Sequence, residues 1–548
     1  MAQFVVTFAC GNFCDNKKKE ELKMKKTPQL DENGKRKFGM RDKVSYALGD
    51  FGCNMSFALK STVQTFWLVF MMMETGLLSL LLLLVQIWDA VNDPLIGSMI
   101  DNDKRNYKMG KFKTYIFIGA CGLLVAGAAV FLPFPNAPVV IKAVLFVLGY
   151  IIWDACYTVA NVPYGSMLPL ITPDKAEQAE LSTWRGLGSA FGNLVPGMIL
   201  PMLIWQKVTY DGSTSFLDKI VVPEGAESQF APDKFHVNPV TGEAYEMGEA
   251  VLSPLTGKQL EILVGERVFF AALIMGVLGF VAFMFMLKNI TIRVDENSVK
   301  TNEGAGKMNI ISAFGKFMKN RPAVGATLAA MGMFLGMQSA ATASTIMFAT
   351  YFGQASLSGV IQIIGFAPMF LFIPFIKKIV VKFGKKEASV IGTAVSLVGG
   401  VVMLIFPLVP FSLALPVYMV GLVLFGVGLG IYNCVSWALM ADAIDYNEWK
   451  FGTREEGTVY SLHSFFRKLA QGVGPSAVLL IMGALGYVES LGTIGQSAET
   501  AYNMCWLVAG LYLFSAVLQF IGLGFIYNLD KKTLAKMNED LAARRSAE

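Results

Sequence analysis

Trp88-Asp89-Ala90-Val91-Asn92-Asp93-Pro94 lies inside the apolar run Leu77 to Ile100, and its two aspartates decide how the chain is read. A run of about 20 apolar residues predicts a membrane-spanning helix. Carboxylates four residues apart on such a helix stack on one face. A charge at mid-bilayer costs at least ~3 kcal/mol by insertion scales, so the pair must face a wet cavity, a cation or a protein partner. The functional reading is an ion site; the alternative is a pair of acids locked in ion pairs that hold a helix bundle together.

The rest of the chain fits a polytopic membrane protein. Over 548 residues, 54% are apolar and only 16% charged, with a mean hydropathy of +0.51, which excludes an ordinary soluble domain. Cysteines at 10, 14, 53, 121, 156, 434 and 505 have no metal-ligand spacing, and the chain holds two histidines. Neither a zinc site nor a disulfide framework is expected. The net charge of +5 is gathered in particular loops, so it reports topology and not a nucleic-acid partner. Lys17-Lys18-Lys19-Glu20-Glu21 follows the first residues, and no small-residue cleavage site follows an apolar core, so no signal peptide is read there.

Apolar spans fall near 43–72, 77–101, 113–134, 138–163, 181–206, 266–288, 322–352, 357–378, 388–408, 413–440, 457–483 and 502–528. These twelve spans divide six and six around the polar stretch Asn289 to Asn320, which contains Glu303-Gly304-Ala305-Gly306-Lys307. The expected organisation is therefore a tail over 1–42, a first six-helix bundle over 43–288, a linker over 289–320, a second bundle over 321–528 and a tail over 529–548. Lys104, Arg105, Lys108, Lys111 and Lys113 in one loop, and Lys377, Lys378, Lys382, Lys385 and Lys386 in another, place those loops, both tails and the linker in the cytoplasm. The insert over 207–265 carries Asp211, Asp218, Glu224, Glu227, Asp233, Glu243, Glu246, Glu249 and Glu261, which suits the outer face. Its Pro, Gly and Val-Thr stretches read either as short hairpins or as a floppy loop. Met109-Gly110-Lys111-Phe112-Lys113 after the second span is echoed by Lys382-Phe383-Gly384-Lys385-Lys386 after the eighth, which supports a duplicated architecture around a central cavity.

Chemistry gathers at mid-membrane. In the fourth span Asp154, Thr158 and Asn161 follow the i, i+4, i+7 spacing of one helix face. Set against Asp89 and Asp93 they offer the oxygen ligands that hard cations prefer, so Na+ or a proton fits. Thr158 and Asn161 taken singly read first as inter-helix hydrogen bonds. Asp50 and Asn54 share a face of the first span, while Lys60 sits on another as an ion-pair partner for a buried acid or a snorkelling residue. Arg185 opens the fifth span, and His463, Arg467 and Lys468 lie in the eleventh. Cations from both halves thus converge on the midline, where secondary transporters bind substrate.

Trp88 to Gly97 with Gly110-Lys111-Phe112-Lys113 resembles the glycoside-pentoside-hexuronide:cation symporter family of the major facilitator superfamily. Two further motifs agree: Asn161-Val162-Pro163-Tyr164-Gly165-Ser166-Met167-Leu168-Pro169, and Ala441-Asp442-Ala443-Ile444-Asp445-Tyr446-Asn447-Glu448-Trp449-Lys450 with Arg454 and Gly457. The resemblance runs from about Lys43 to Asn528. It implies an all-α major facilitator fold of twelve transmembrane helices in two six-helix bundles. It also implies cation binding at Asp89, Asp93 and Thr158, sugar contact or its link to the cation at Arg185 and Lys468, and a cytoplasmic gate at Asp442 and Arg454. The chain departs from the melibiose-type branch, which has acids at the positions of Asn54 and Asn161, a lysine at Cys53, a sugar-stacking tryptophan at Gly165 and no acid at Asp154.

The expected function is cation-coupled symport of a sugar or glycoside by alternating access, with no cofactor and a lipid bilayer, a small sugar and a monovalent cation as partners. The chain is expected to be a monomer in the cell (inner) membrane. Loss of two acids at Asn54 and Asn161 while Arg185 and Lys468 remain favours a hexuronide or glucuronide. If Lys468 instead pairs with Asp89, Asp93 or Asp154, only Arg185 is left and a neutral glycoside or pentoside follows. A membrane-embedded enzyme would need a metal or nucleotide site, and no Gly-rich phosphate loop or His/Cys cluster is present; a transport-derived sensor or lipid carrier on the same fold is the other alternative.

Overall fold

A computed structural model describes residues 35–547 apart from 104, 220–227, 229–230, 253–256, 295–309, 373–374, 453–455 and 494. Residues 1–34 of the expected tail, the centre of the linker and Arg454 lie outside the described residues.

Twelve helical rods match the twelve apolar runs. The first is Met40–Phe57 continued by Leu59–Thr65; then come Thr75–Asn102, Lys111–Ala129, Val139–Ser166, Lys175–Ile204 and Gly265–Asn289. The second six are Arg321–Met347, Leu357–Phe372 continued by Ile376–Phe383, Lys385–Ile405, Phe411–Phe451, Glu456–Ala484 and Ala498–Phe520. Among the described residues, nine of these are long and apolar enough by themselves to cross a membrane. The first, eighth and eleventh are not among the nine: two are broken into pieces, and the eleventh carries His463, Arg467 and Lys468.

Both halves are wired alike. In the first, the neighbours are spans one and five, one and six, two and four, three and four, and three and six. Adding six to each number gives the neighbours in the second half: seven and eleven, seven and twelve, eight and ten, nine and ten, nine and twelve. Local geometry repeats too. Spans one and seven each end in a wide π-turn, Phe66–Phe70 and Phe348–Phe352, followed by a residue at positive φ near the turn, Met72 at 49° and Gly353 at 67°. Gly110 and Gly384, at the starts of spans three and nine, have φ of 85° and 108°. That left-handed region strains any side chain, so the echoed glycines in the sequence mark one repeated turn.

The halves meet through spans two and eleven, five and eight, and one and seven. Glycines allow the close approach: a Cβ on Gly359 would lie 2.6 Å from the Met198 carbonyl oxygen, and one on Gly472 2.6 Å from Gln86. Ser79 Oγ donates to the Ser476 carbonyl at 2.7 Å, and Thr342 Oγ1 to Gln64 Oε1 at 2.5 Å. Polar contacts between the halves thus extend from Lys468 at mid-membrane towards the insert. The molecule is closed at the insert end.

The insert is folded, which selects the hairpin alternative. Strands β1, Trp205–Lys207, and β2, Glu261–Leu263, pair antiparallel with Gln206 opposite Ile262. A small core of Val208, Phe216, Phe235, Tyr245, Val251, Leu260, Ile262 and Val264 lies under it. It also reaches across to the second half: Lys258 Nζ lies 5.1 Å and 4.9 Å from the ring centres of Tyr351 and Phe411, and Glu261 accepts from Ser356 Oγ at 2.7 Å. At the opposite, basic end the linker contains a helix, Ile310–Lys319, held to the eleventh span by Phe317 on Phe466. The final stretch is a docked helix, Lys531–Ala547, with Met537 and Leu541 buried and Trp449 Nε1 donating to Asp540 at 2.9 Å.

Candidate binding and coupling site

Two adjoining clusters form at mid-membrane. In the first, spans two and four bring Asp89, Asn92, Asp93, Asp154 and Thr158 together. Thr158 Oγ1 donates to Asp93 Oδ1 at 2.8 Å, and the Asn92 amide donates to Thr158 Oγ1 at 3.2 Å and to Asp154 Oδ2 at 3.4 Å. Asn92 is almost wholly buried. It was not singled out from sequence, although its place between the two aspartates, three residues after Asp89, was the signal. Pro94 follows directly, inside the helix, and removes one backbone donor beside the site.

Lys468, from the eleventh span, enters this cluster, donating to Asp93 Oδ2 in a short ion pair and lying 3.5 Å from Asp89 Oδ1. Lys60 Nζ approaches Asp89 Oδ2 at 3.9 Å and sits over the Phe57 ring. The structure thus selects the arrangement in which Lys468 belongs with the carboxylates. In this conformation its ammonium is paired with Asp93 and Asp89 and does not stand apart from them. Lys60 is the ion-pair partner and not a snorkelling side chain.

The second cluster joins spans one and five. Arg185 Nε donates to Asp50 Oδ1 at 3.0 Å while its guanidinium lies over the Tyr164 ring. Asn54 Nδ2 donates to Asp50 Oδ2 at 3.1 Å, and Asn193 Nδ2 donates to Asn54 Oδ1 at 2.6 Å. Asn193 was missed from sequence; it stands two helical turns beyond Arg185, on the same face. A Cβ on Gly165 would lie 3.8 Å from an Arg185 nitrogen, so absence of a side chain there leaves space beside the guanidinium. Asn161 is half-buried, and among the described residues its side chain joins neither cluster by a hydrogen bond. Arg185 and Asp93 keep side-chain exposures of 38% and 34%, so both clusters open towards the basic end.

At the expected gate, Lys385 Nζ donates to both Asp442 oxygens, at 2.7 Å and 2.9 Å. Both residues belong to the second half, so among the described residues Asp442 does not bridge the halves in this conformation. Asp442→Lys would oppose two ammonium groups there. It is expected to raise labelling of cavity cysteines from the basic end relative to the insert end, and Lys385→Asp added to it is expected to restore the original pattern. Unchanged labelling in both variants would remove Asp442 from the gate.

In the first half, the turn between spans two and three holds Asp103. Its carboxylate accepts from the Tyr107 and Tyr115 hydroxyls, each at 2.6 Å, and from Arg105 N at 3.0 Å. Those bonds, Tyr107's foremost, lower its pKa to about 2. A depressed carboxylate stabilises the fold above its unfolded pKa and loses that contribution only as pH falls through the folded value. Asp103→Asn is therefore expected to leave the shape of the transport pH profile between pH 5 and 8 unchanged, which uptake measured across that range checks.

With the geometry in hand, the chain compares closely with known carriers. A family model described as "MFS/sugar transport protein" matches residues 45–531. The chain belongs to this family. It is 27% identical over 514 residues to the isoprimeverose transporter of Lactiplantibacillus pentosus, covering 92% of each chain. It is 24% identical over 450 residues to the glucuronide carrier protein homolog of Escherichia coli (strain K12), covering 82% of this chain and 84% of that one. The crystal structure of a D-xylose-proton symporter superposes with a TM-score of 0.54 at 14% identity, over 87% of this chain and 96% of that one, which shows the shared major facilitator fold. The resemblance read from the motifs is borne out at the level of family and fold, and the chain is a multi-pass membrane protein of this sugar-transport family.

Proposed function

We propose that this sugar transporter is a cation-coupled symporter whose favoured substrate is a hexuronide or glucuronide, working by alternating access with its basic end in the cytoplasm. The observation that carries the reading is charge balance at mid-membrane. Among the described residues, the carboxylates Asp50, Asp89, Asp93 and Asp154 are matched in number by Lys60, Arg185, Arg467 and Lys468. A coupling Na+ or proton adds one positive charge in a medium where uncompensated charge is expensive. An anionic sugar cancels it, and a neutral sugar leaves it.

The same geometry supports a coupling route. Lys468 occupies the oxygens of Asp89 and Asp93 that an arriving cation needs, so cation binding releases its ammonium towards the substrate space. Each ligand then strengthens the other's binding by the same factor. Arg185, exposed to the cavity on one edge and anchored by Asp50 on the other, is placed to take a carboxylate through charge-assisted hydrogen bonds. The glucuronide carrier homolog among the relatives supports this substrate class.

One observation favours a neutral glycoside instead: both Arg185 and Lys468 already have carboxylate partners. The test is uptake into proteoliposomes of radiolabelled methyl glucuronide and methyl glucoside, each under an imposed Na+ or proton gradient. Gradient-dependent accumulation of the glucuronide alone, uncompeted by the glucoside, is expected. Accumulation of the glucoside with no competition from the glucuronide would replace the substrate, and downhill equilibration under every gradient would remove the coupling.

A further inference from the structure

The first span carries a second polar patch beyond the Arg185 cluster. Asp50, Asn54, Ser61 and Thr65 follow one another along one side of that span, and Ser61 lies seven residues, about 10 Å of helix, nearer the insert end than Asn54. There the structure holds a cavity of about 50 Å³ bounded by Ser61, Thr62 and Thr65 of the first span, Gly197 of the fifth, Thr345 of the seventh and Gln362 of the eighth. Both halves contribute to its wall. Among the described residues, no charged side chain lines it.

Its polar groups are underused. Thr65 Oγ1 donates to the Ser61 carbonyl at 3.3 Å and Thr345 Oγ1 to the Ala341 carbonyl at 3.1 Å, so each hydroxyl's proton is engaged within its own helix while its lone pairs stay open. Among the described residues, the side chains of Ser61, Thr62 and Gln362 make no hydrogen bond. Polar groups at this depth that lack protein partners call for a ligand rich in hydroxyls or for water. A cavity of this size holds a few waters and not a sugar ring.

The closed insert end explains the size. Ser61, Thr62 and Thr65 stand on one half while Thr345 and Gln362 stand on the other, so parting of the halves at that end separates the two walls. Donors and acceptors from the serine, threonine and glutamine side chains then face an opening that leads directly to Asn54 and Asn193. We propose that this cavity is the collapsed form of an outer docking subsite for the uncharged, hydroxyl-bearing part of the sugar. It is filled when the halves part at the insert end and emptied towards Arg185 as they close. The proposal rests on the reading that sugar enters from the insert end.

Substituting Gln362→Leu, Ser61→Ala and Thr345→Val singly tests it, with radiolabelled methyl glucuronide and methyl glucoside as probes. Uptake is measured in intact cells for entry at the insert end and in inside-out vesicles for entry at the basic end. Each variant is expected to raise the KM from the insert end about fivefold, the worth of one hydrogen bond, for whichever probe is carried. The KM from the basic end should stay within twofold and the melting temperature of purified protein should not change. Unchanged KM values from both ends would overturn the subsite, and equal rises from both ends would assign these residues to the central site instead. Failure of the wild type to carry either probe would overturn the proposed function itself, and the subsite with it.

Discussion

Asp93→Asn is expected to abolish accumulation, bringing the internal-to-external ratio to about one under any imposed gradient while exchange of preloaded sugar survives in part. In the native arrangement Lys468 is shared between Asp93 and Asp89, and Thr158 donates to Asp93. With one carboxylate gone, the Lys468 ammonium stays on Asp89, and the cluster of Asp89, Asp93 and Asp154 against Lys60 and Lys468 loses its one excess negative charge where a cation must enter. Two unit charges about 4 Å apart interact by about 4 kcal/mol at an effective dielectric of 20. Screening reduces that, because the Asp93 side chain is 34% exposed. A loss of cation affinity between tenfold and a hundredfold remains. Binding of the cation, measured by calorimetry without sugar, separates this from a folding defect. Full accumulation by the variant would sink the assignment of Asp93.

Arg185→Gln is expected to raise the KM for a glucuronide by more than tenfold and to erase any preference for it over the neutral glycoside. Two effects add. The substrate loses a guanidinium able to grip a carboxylate, and the buried Asp50 loses its ion pair. Asp50→Asn combined with Arg185→Gln removes the stranded charge and is expected to restore the amount of folded protein without restoring anion preference. Arg185→Lys keeps the charge but gives up the planar fork and the stacking on Tyr164, so an intermediate KM is expected. If Arg185→Gln leaves the glucuronide preference intact, the substrate's charge is read elsewhere.

How much of this was legible in the sequence depends on the kind of signal. The spans were readable because bilayer insertion imposes long apolar runs, and helical spacing within single spans put Asp89 with Asp93 and Asp154 with Thr158, whereas the grouping of Asp89, Asp93 and Thr158 was implied by the family resemblance. The partner of Lys468 was not readable. Eight spans lie between Asp89 and Asp93 in the second and Lys468 in the eleventh, and no local rule sets which face of the eleventh span meets the second. Two pairings were open, and only the packed structure chose between them. Asn193 escaped for a similar reason: a single amide in an apolar helix gives no sign of its partner Asn54 until spans one and five are set side by side. The insert was ambiguous because short strands stapled by a few bridges leave weak periodicity, whereas its fold is held by a core of scattered residues such as Phe235 and Val251.

Two of the three rods that fall outside the nine self-sufficient spans, the first and the eleventh, bear on how the chain is made. The first span leaves the ribosome with Arg36 already beside Asp42, but before the partners of its Asp50 and Lys60 exist. Its Asp50 finds Arg185 only when the fifth span emerges, and Asp42 finds Arg293 only after the sixth. Until then lipid offers this helix little, and residence at the edge of the insertion machinery is its favourable place. The eleventh span meets the opposite circumstance: when Lys468 emerges, Asp89 and Asp93 already stand in a finished half, ready to receive it. Biogenesis is thereby ordered by charge, the first half maturing as a unit and then serving as the template on which the polar rod of the second is drawn into the bilayer.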